Sequence, residues 1–155
     1  MHTLDKIDHA ILRQLQNNAR MSVTELASLV GLTKTPCQIR MKRLETEGYI
    51  LGYVTLLDPS KMGHSHVAFV QVTMNDTSSK ALHAFNNAVK KIPSVEQCHM
   101  IAGGFDYLLK VRTTDMASFR AVLGEQISTL ANVVQTSTFV AMENIKDPVY
   151  KVSAP

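Results

Sequence analysis

Residues 34–43 gather the chemistry that first draws notice. Lys34, Arg40, Lys42 and Arg43 fall there with no acid among them, interleaved with Thr35, Gln38 and Ile39. Cations on one helix face neutralise phosphates, while hydroxyl and amide side chains reach base edges and an aliphatic side chain packs on a thymine methyl. Helical spacing puts Cys37, Met41 and Leu44 on a buried stripe at i, i+4, i+7. Gln38, Ile39, Lys42 and Arg43 then face outward, Lys34 and Thr35 stand at the leading end, and Arg40 lies at the flank. Thr33 offers a cap oxygen just before this helix, and Pro36 sits in the first turn, where a missing N–H is tolerated. The competing reading is a basic amphipathic helix packed in a metabolic domain.

The elements before it must present that face. Leu4, Ile7, Ile11, Leu12 and Leu15 form one helical stripe, with Asp5 and Asp8 near its start, where carboxylates suit the dipole. Ser22 and Glu25 have capping-box spacing and open a short helix burying Leu26, Ala27 and Val30. Gly31 ends it. A small Ala27 permits close helix crossing and Gly31 permits a turn at positive φ, which is the helix-turn-helix plan. The third helix runs from about Lys34 to Glu47 and stops at Gly48. Tyr49–Leu57 is rich in β-branched and aromatic residues and predicts a strand, either a short wing or a linker strand pairing with its twin in a dimer. The predicted organisation is a DNA-binding unit over 1–52, a linker over 53–65 containing Pro59 and Gly63, and a second unit over 66–155.

The second unit alternates. His66–Met74, Val95–Ile101, Tyr107–Thr113 and Val133–Met142 carry strand patterns. Ser78–Lys91 and a helix capped by Asp115 and running through Leu130 carry helical ones. The order β-α-β-β-α-β is the ferredoxin-like split unit, so the fold class is α+β. Two helices cover one sheet face. The other face needs cover too, because monomers rarely expose a large apolar patch, and a homodimer through the sheets supplies it.

Between the second and third strands, Ala102-Gly103-Gly104-Phe105-Asp106-Tyr107 offers a second chemistry. Glycines let main-chain N–H groups approach a carboxylate, and Asp106 can pair with an ammonium. A plain β-turn with Asp106 capping a strand explains the same residues. Thr136 and Thr138 can line such a site or be ordinary strand composition.

The chain has 155 residues, 45% of them hydrophobic and 19% charged, with a net charge of +3. That excludes a disordered chain, and the weak basicity alone does not argue for nucleic acid. No apolar run approaches a membrane span, and the start lacks a signal segment. Cys37 and Cys98 predict reduced thiols in a cytoplasmic protein. His64/His66 and Cys98/His99 are soft-ligand pairs, but adjacent Cys98 and His99 face opposite ways on a strand, and His64 and His66 sit by the linker, where exposed histidine is common, so no metal site is expected. No Ser/His/Asp order, paired carboxylates or phosphate loop points to catalysis or a cofactor.

The sequence resembles the Lrp/AsnC (feast/famine) transcriptional regulators of bacteria and archaea over about residues 4–146. The resemblance rests on Leu4-Asp5-Lys6-Ile7-Asp8 with Ile11-Leu12, Glu25-Leu26-Ala27 with Val30-Gly31-Leu32, Thr35 to Glu45, Gly48-Tyr49-Ile50 with Gly52-Tyr53, and Gly103 to Leu109. Thr35-Pro36-Cys37, Cys98-His99 and Thr136/Thr138 suggest the subgroup of leucine-responsive and proline-catabolism regulators. The resemblance implies a winged helix-turn-helix reading double-stranded DNA and an αβ sandwich sensing a small effector, usually an amino acid. It also implies dimers assembling into tetramers, octamers or similar discs. The effector would sit between dimers at Ala102–Tyr107. Many relatives carry an acidic or polar residue where this chain has Gly104, and Ser or Thr where it has Ala102. That departure leaves an effector-independent architectural DNA-binding protein as the alternative.

Overall fold

The computed structural model describes residues 3–146. The predicted limits at 1 and 155 therefore fall outside the described residues. The chain divides into two compact units between Thr55 and Leu56.

In the first unit, α1 (Lys6–Asn17), α2 (Val23–Leu29) and α3 (Lys34–Thr46) enclose one core of Ile11, Leu15, Leu26, Ala27, Cys37 and Leu44. Met41, predicted for the buried stripe, packs against this core but stays partly exposed. Ser22 Oγ accepts from the Glu25 N–H at 3.2 Å. The reciprocal capping box forms instead at α1. There Asp5 accepts from the Asp8 N–H at 2.8 Å while Asp8 accepts from the Asp5 N–H at 3.1 Å.

Gly31 turns the chain between α2 and α3 with φ +71°, and the Leu32 N–H returns to the Ala27 carbonyl at 2.8 Å. This is a Schellman stop, and it needs a left-handed residue just past the helix end. A Cβ at Gly31 would meet nothing within 4 Å, so alanine there would suffer torsional strain alone. Gly31→Ala is expected to cost about 1–2 kcal/mol, lowering the melting temperature of this unit by about 4–8 °C per kcal/mol in a thermal melt. An unchanged melt would show that the turn does not depend on positive φ.

The wing predicted over Tyr49–Leu57 does not form within one chain, and a linker strand paired with its twin needs a second chain. Among the described residues this segment belongs to no strand, so neither wing nor β linker is present within one chain. A strand needs a ladder partner, and the single chain offers none. The Tyr49 and Ile50 N–H groups instead both bond the Leu44 carbonyl, closing the end of α3. Tyr53 donates its hydroxyl hydrogen to Glu45 Oε1 at 2.9 Å, and Leu51 stands 96% exposed.

The second unit holds β1 (His66–Met74), α4 (Ser79–Val89), β2 (Val95–Met100), β3 (Tyr107–Thr113), α5 (Met116–Val122) and β4 (Val133–Val140). The sheet is antiparallel with order β2-β3-β1-β4, the predicted split unit. Ala68, Val70 and Val72 of β1 and Tyr107, Leu109 and Val111 of β3 face the helices, packing on Phe85, Val89, Phe119 and Ile127. Phe69 lies opposite both Lys110 and Phe139, and Gln71 opposite both Leu108 and Ser137, so these define the other face. Phe139 on it is 55% exposed. The helix predicted through Leu130 departs from expectation: α5 ends at Val122 and continues as a π turn over Leu123–Ile127. Cys98 opposes Leu109 and His99 opposes Leu108, which puts the two on opposite faces.

Candidate nucleic-acid interface and ligand loop

The outer face of α3 is built as predicted at most positions. Cys37 and Leu44 are buried, and that fixes the helix rotation. Thr33, Lys34, Thr35, Gln38 and Lys42 are exposed, and Ile39 is 65% exposed without a buried partner stripe to explain it. Thr33 occupies the N-cap position, but its side chain makes no cap bond, so its hydroxyl remains available.

Arg40 and Arg43 behave differently. Arg40 Nη1 donates to Asp5 Oδ2 at 2.6 Å and to Asp8 Oδ1 at 2.9 Å, and Arg43 Nη2 donates to Asp8 Oδ2 at 2.6 Å. Both guanidiniums are therefore engaged in tying α3 to the first turn of α1. Asp8 is 1% exposed. Burial pushes its carboxyl up, but the Asp5 N–H, Arg40 and Arg43 outweigh that and hold it below the ordinary carboxylate range. The Asp8 N–H, followed by Arg40, lowers Asp5 to about 2. In sequence, Asp5 and Asp8 show only as partners of the helix dipole. The available signal was complementary i, i+3 spacing, acids at 5 and 8 and arginines at 40 and 43.

In the second unit, Ala102, Gly103 and Gly104 are exposed in the β2–β3 loop, with Phe105 and Asp106 half-buried. Neither glycine adopts a positive φ, and a Cβ at Gly104 would meet open space. The turn itself therefore does not demand glycine. The Ile101 N–H bonds the Asp106 carbonyl and the Asp106 N–H bonds the Val72 carbonyl, pinning the loop ends. Among the described residues, no intrachain acceptor takes the N–H groups of Ala102, Gly103, Gly104 or Phe105.

Four predicted ligand residues are placed elsewhere or otherwise occupied. Asp106 Oδ2 accepts from the Met74 N–H at 2.7 Å, closing the end of β1. Tyr107 is buried on the helix side, its ring centroid 4.3 Å from that of Phe85, because β3 alternates and Tyr107 shares the phase of Leu109 and Val111. Thr136 and Thr138 oppose Val72 and Val70 on β4. With β1 between β3 and β4, they lie about 10 Å from the loop strand by strand spacing and do not join the loop within one chain.

A three-helix unit presenting an exposed basic helix, coupled to a βαββαβ unit with an open loop, defines a helix-turn-helix regulator with a separate sensing domain. Comparison with known proteins agrees with this class. Residues 4–45 match the AsnC-type helix-turn-helix domain, and residues 67–149 match the Lrp/AsnC ligand-binding domain. The proline dehydrogenase transcriptional activator of Rhizobium radiobacter is 56% identical over 149 residues, covering 94% of this chain and 96% of that one. The leucine-responsive regulatory protein of Escherichia coli K12 is 44% identical, covering 92% and 87%. A Neisseria meningitidis transcriptional regulator solved with L-methionine superposes with TM-score 0.86 at 33% identity, covering 94% of each chain. The chain belongs to the Lrp/AsnC family of DNA-binding, effector-responsive transcriptional regulators.

Proposed function

We propose that this chain is a cytoplasmic, homo-oligomeric regulator of amino-acid metabolism whose DNA affinity responds to an amino acid. The observation that carries the reading is the outer face of α3. Lys34 and Lys42 are exposed there for phosphate, and Thr33, Thr35, Gln38 and Ile39 for positioning and base edges. Arg40 and Arg43, engaged by Asp5 and Asp8, hold the helix rather than the DNA. Dimerisation would set two such helices into successive major grooves, about 34 Å apart. The exposed side chains of Leu51, Val54 and Leu57, and the open sheet face around Phe69 and Phe139, supply apolar surface for it. Among the described residues no helix is long and apolar enough to cross a membrane.

The effector reading rests on the loop. Its open main-chain N–H groups over Ala102–Phe105 suit a carboxylate. Asp106 serves chiefly as the loop's anchor. A methionine-bound relative supports an amino acid as the ligand class. Thr136 and Thr138 would line this site only from another chain.

The direct test is a thermal-shift screen over the twenty amino acids at millimolar concentration. A ligand at a hundred times its Kd adds about 2.7 kcal/mol, a shift of several degrees. At least one amino acid is expected to raise the melting temperature and to change affinity for a promoter fragment. No shift with any of the twenty would favour an architectural DNA-binding protein.

A further inference from the structure

On the helix side of the sheet, α4 and the edge strand β2 leave a cleft of about 510 Å³ between them. Its walls include Val89, Val95, Cys98 and Met100, with Asn86 and Lys90 contributed by α4 and its C-cap. Tyr107 lies at its floor, 1% exposed, and its hydroxyl has no hydrogen-bond partner. A buried hydroxyl in a well-packed core is almost always satisfied, so an unpaired one at the base of a cleft points to a missing acceptor. Burial first, then the nearby Cys98 thiol and Asp106, pushes the Tyr107 hydroxyl up, and burial pushes Cys98 up. Both are neutral at physiological pH, and Tyr107 is a donor there.

The charges around the cleft select the ligand. Lys90 is exposed at its wall, and no acid among the described residues pairs with it. The acid that lines the cleft, Glu96, is committed to Lys110 at 3.2 Å and to Arg112. No free carboxylate is therefore offered to an ammonium group, while a donor and a cation are offered to an anion. A cleft of this size, apolar with a few convergent polar groups, is of the ordinary small-ligand kind.

We infer that this cleft is a second small-molecule site, taking a small apolar carboxylate without an ammonium group, its oxygen accepting from Tyr107 and its charge facing Lys90. It is separate from the amino-acid loop: of the residues 102–107, only Tyr107 lines it. The chemistry is that of a branched 2-oxo acid or a short fatty acid. A regulator carrying both sites would read an amino acid and its deaminated counterpart independently.

The test is calorimetric titration of the purified full chain with 4-methyl-2-oxopentanoate, with leucine as the ammonium-bearing match of the same skeleton. The oxo acid is expected to bind with a submillimolar Kd, and saturating leucine should leave that Kd within twofold. Tyr107→Phe should weaken oxo-acid binding at least fivefold without lowering the melting temperature of the unliganded protein, since it removes an unpaired group. Lys90→Ala, on an exposed position, should weaken it at least threefold and flatten its salt dependence. No heat with the parent protein would overturn the inference, as would unchanged binding in Tyr107→Phe or competition by leucine. Competition would assign the oxo acid to the loop. A leucine response with no oxo-acid binding would leave the proposed function standing and remove the second site alone.

Discussion

Asp8→Ala is expected to lower the melting temperature of the N-terminal unit by about 15 °C and to abolish DNA binding at 37 °C. Three interactions vanish together: half of the α1 capping box and two of the three ion pairs that hold α3, leaving only Arg40–Asp5. Removing one partner of a buried ion pair costs about 3–5 kcal/mol, because the partner charges stay behind unpaired. The low end applies here, since Arg40 and Arg43 are 27% and 30% exposed and water recovers part of their solvation. About 3 kcal/mol is a large share of the stability of a unit near 50 residues. At about 4–8 °C per kcal/mol for a small domain, that amounts to the predicted shift. Asp8→Asn, which keeps a side-chain acceptor but not the charge, should fall between the two. A variant melting within 3 °C of the parent would contradict the clamp. The clamp also has a pH signature. Both carboxyls sit below their ordinary value of 3.8 in the folded state. Their contribution is complete above that value and is lost as the pH falls below it, for Asp5 towards about 2. Circular dichroism across that window should show the parent unfolding and Asp8→Ala already unfolded at its upper edge.

The second large effect concerns phosphate. Lys34→Ala with Lys42→Ala should reduce affinity for any duplex, specific or not, by about a hundredfold or more at 0.15 M salt. Each lysine–phosphate contact contributes about 0.9 to the slope of log K against log salt, so a complex with two bound helices should lose a slope of about 3 to 4. Lys42→Ala alone should lower the slope by about one per bound helix. Gln38→Ala, in contrast, should leave the slope unchanged and relax preference at one base pair by about 1–3 kcal/mol. Anisotropy titrations at several salt concentrations separate the two behaviours. A charge-neutral variant with an unchanged slope would remove Lys34 and Lys42 from the interface. Arg40→Ala and Arg43→Ala should act mainly on stability, with the slope little changed in the fraction that stays folded.

Periodicity made most of the fold legible. β1 and β3 fall where their alternation predicts, and α2 and α3 begin at the predicted residues, because each pattern is local and repeats within a few residues. Two of the failures depend on a contact far away in sequence or on a second chain. The Arg43–Asp8 pair joins residues 35 apart, and no hydrophobic period records it. Tyr49–Leu57 has strand composition but no partner within the chain. Tyr107 enters the ligand loop through the family resemblance, although the alternation of Tyr107, Leu109 and Val111 places its ring inward. The outward face of α3 was readable because Cys37 and Leu44 alone fix how the helix rotates. Thr136 and Thr138 do not reach the candidate ligand loop within one chain, because β1 lies between β3 and β4.

The central claim is that an exposed basic helix, held by two buried-side arginine clamps, reads duplex DNA under amino-acid control. The most direct measurement is anisotropy of labelled promoter fragments from the source genome, titrated with purified protein against excess unrelated duplex, with and without the amino acid that gives the largest thermal shift. Retention of particular fragments in the presence of competitor, with an affinity that the amino acid moves severalfold, is the predicted result. Equal affinity for all duplexes, unaffected by any amino acid, would contradict it.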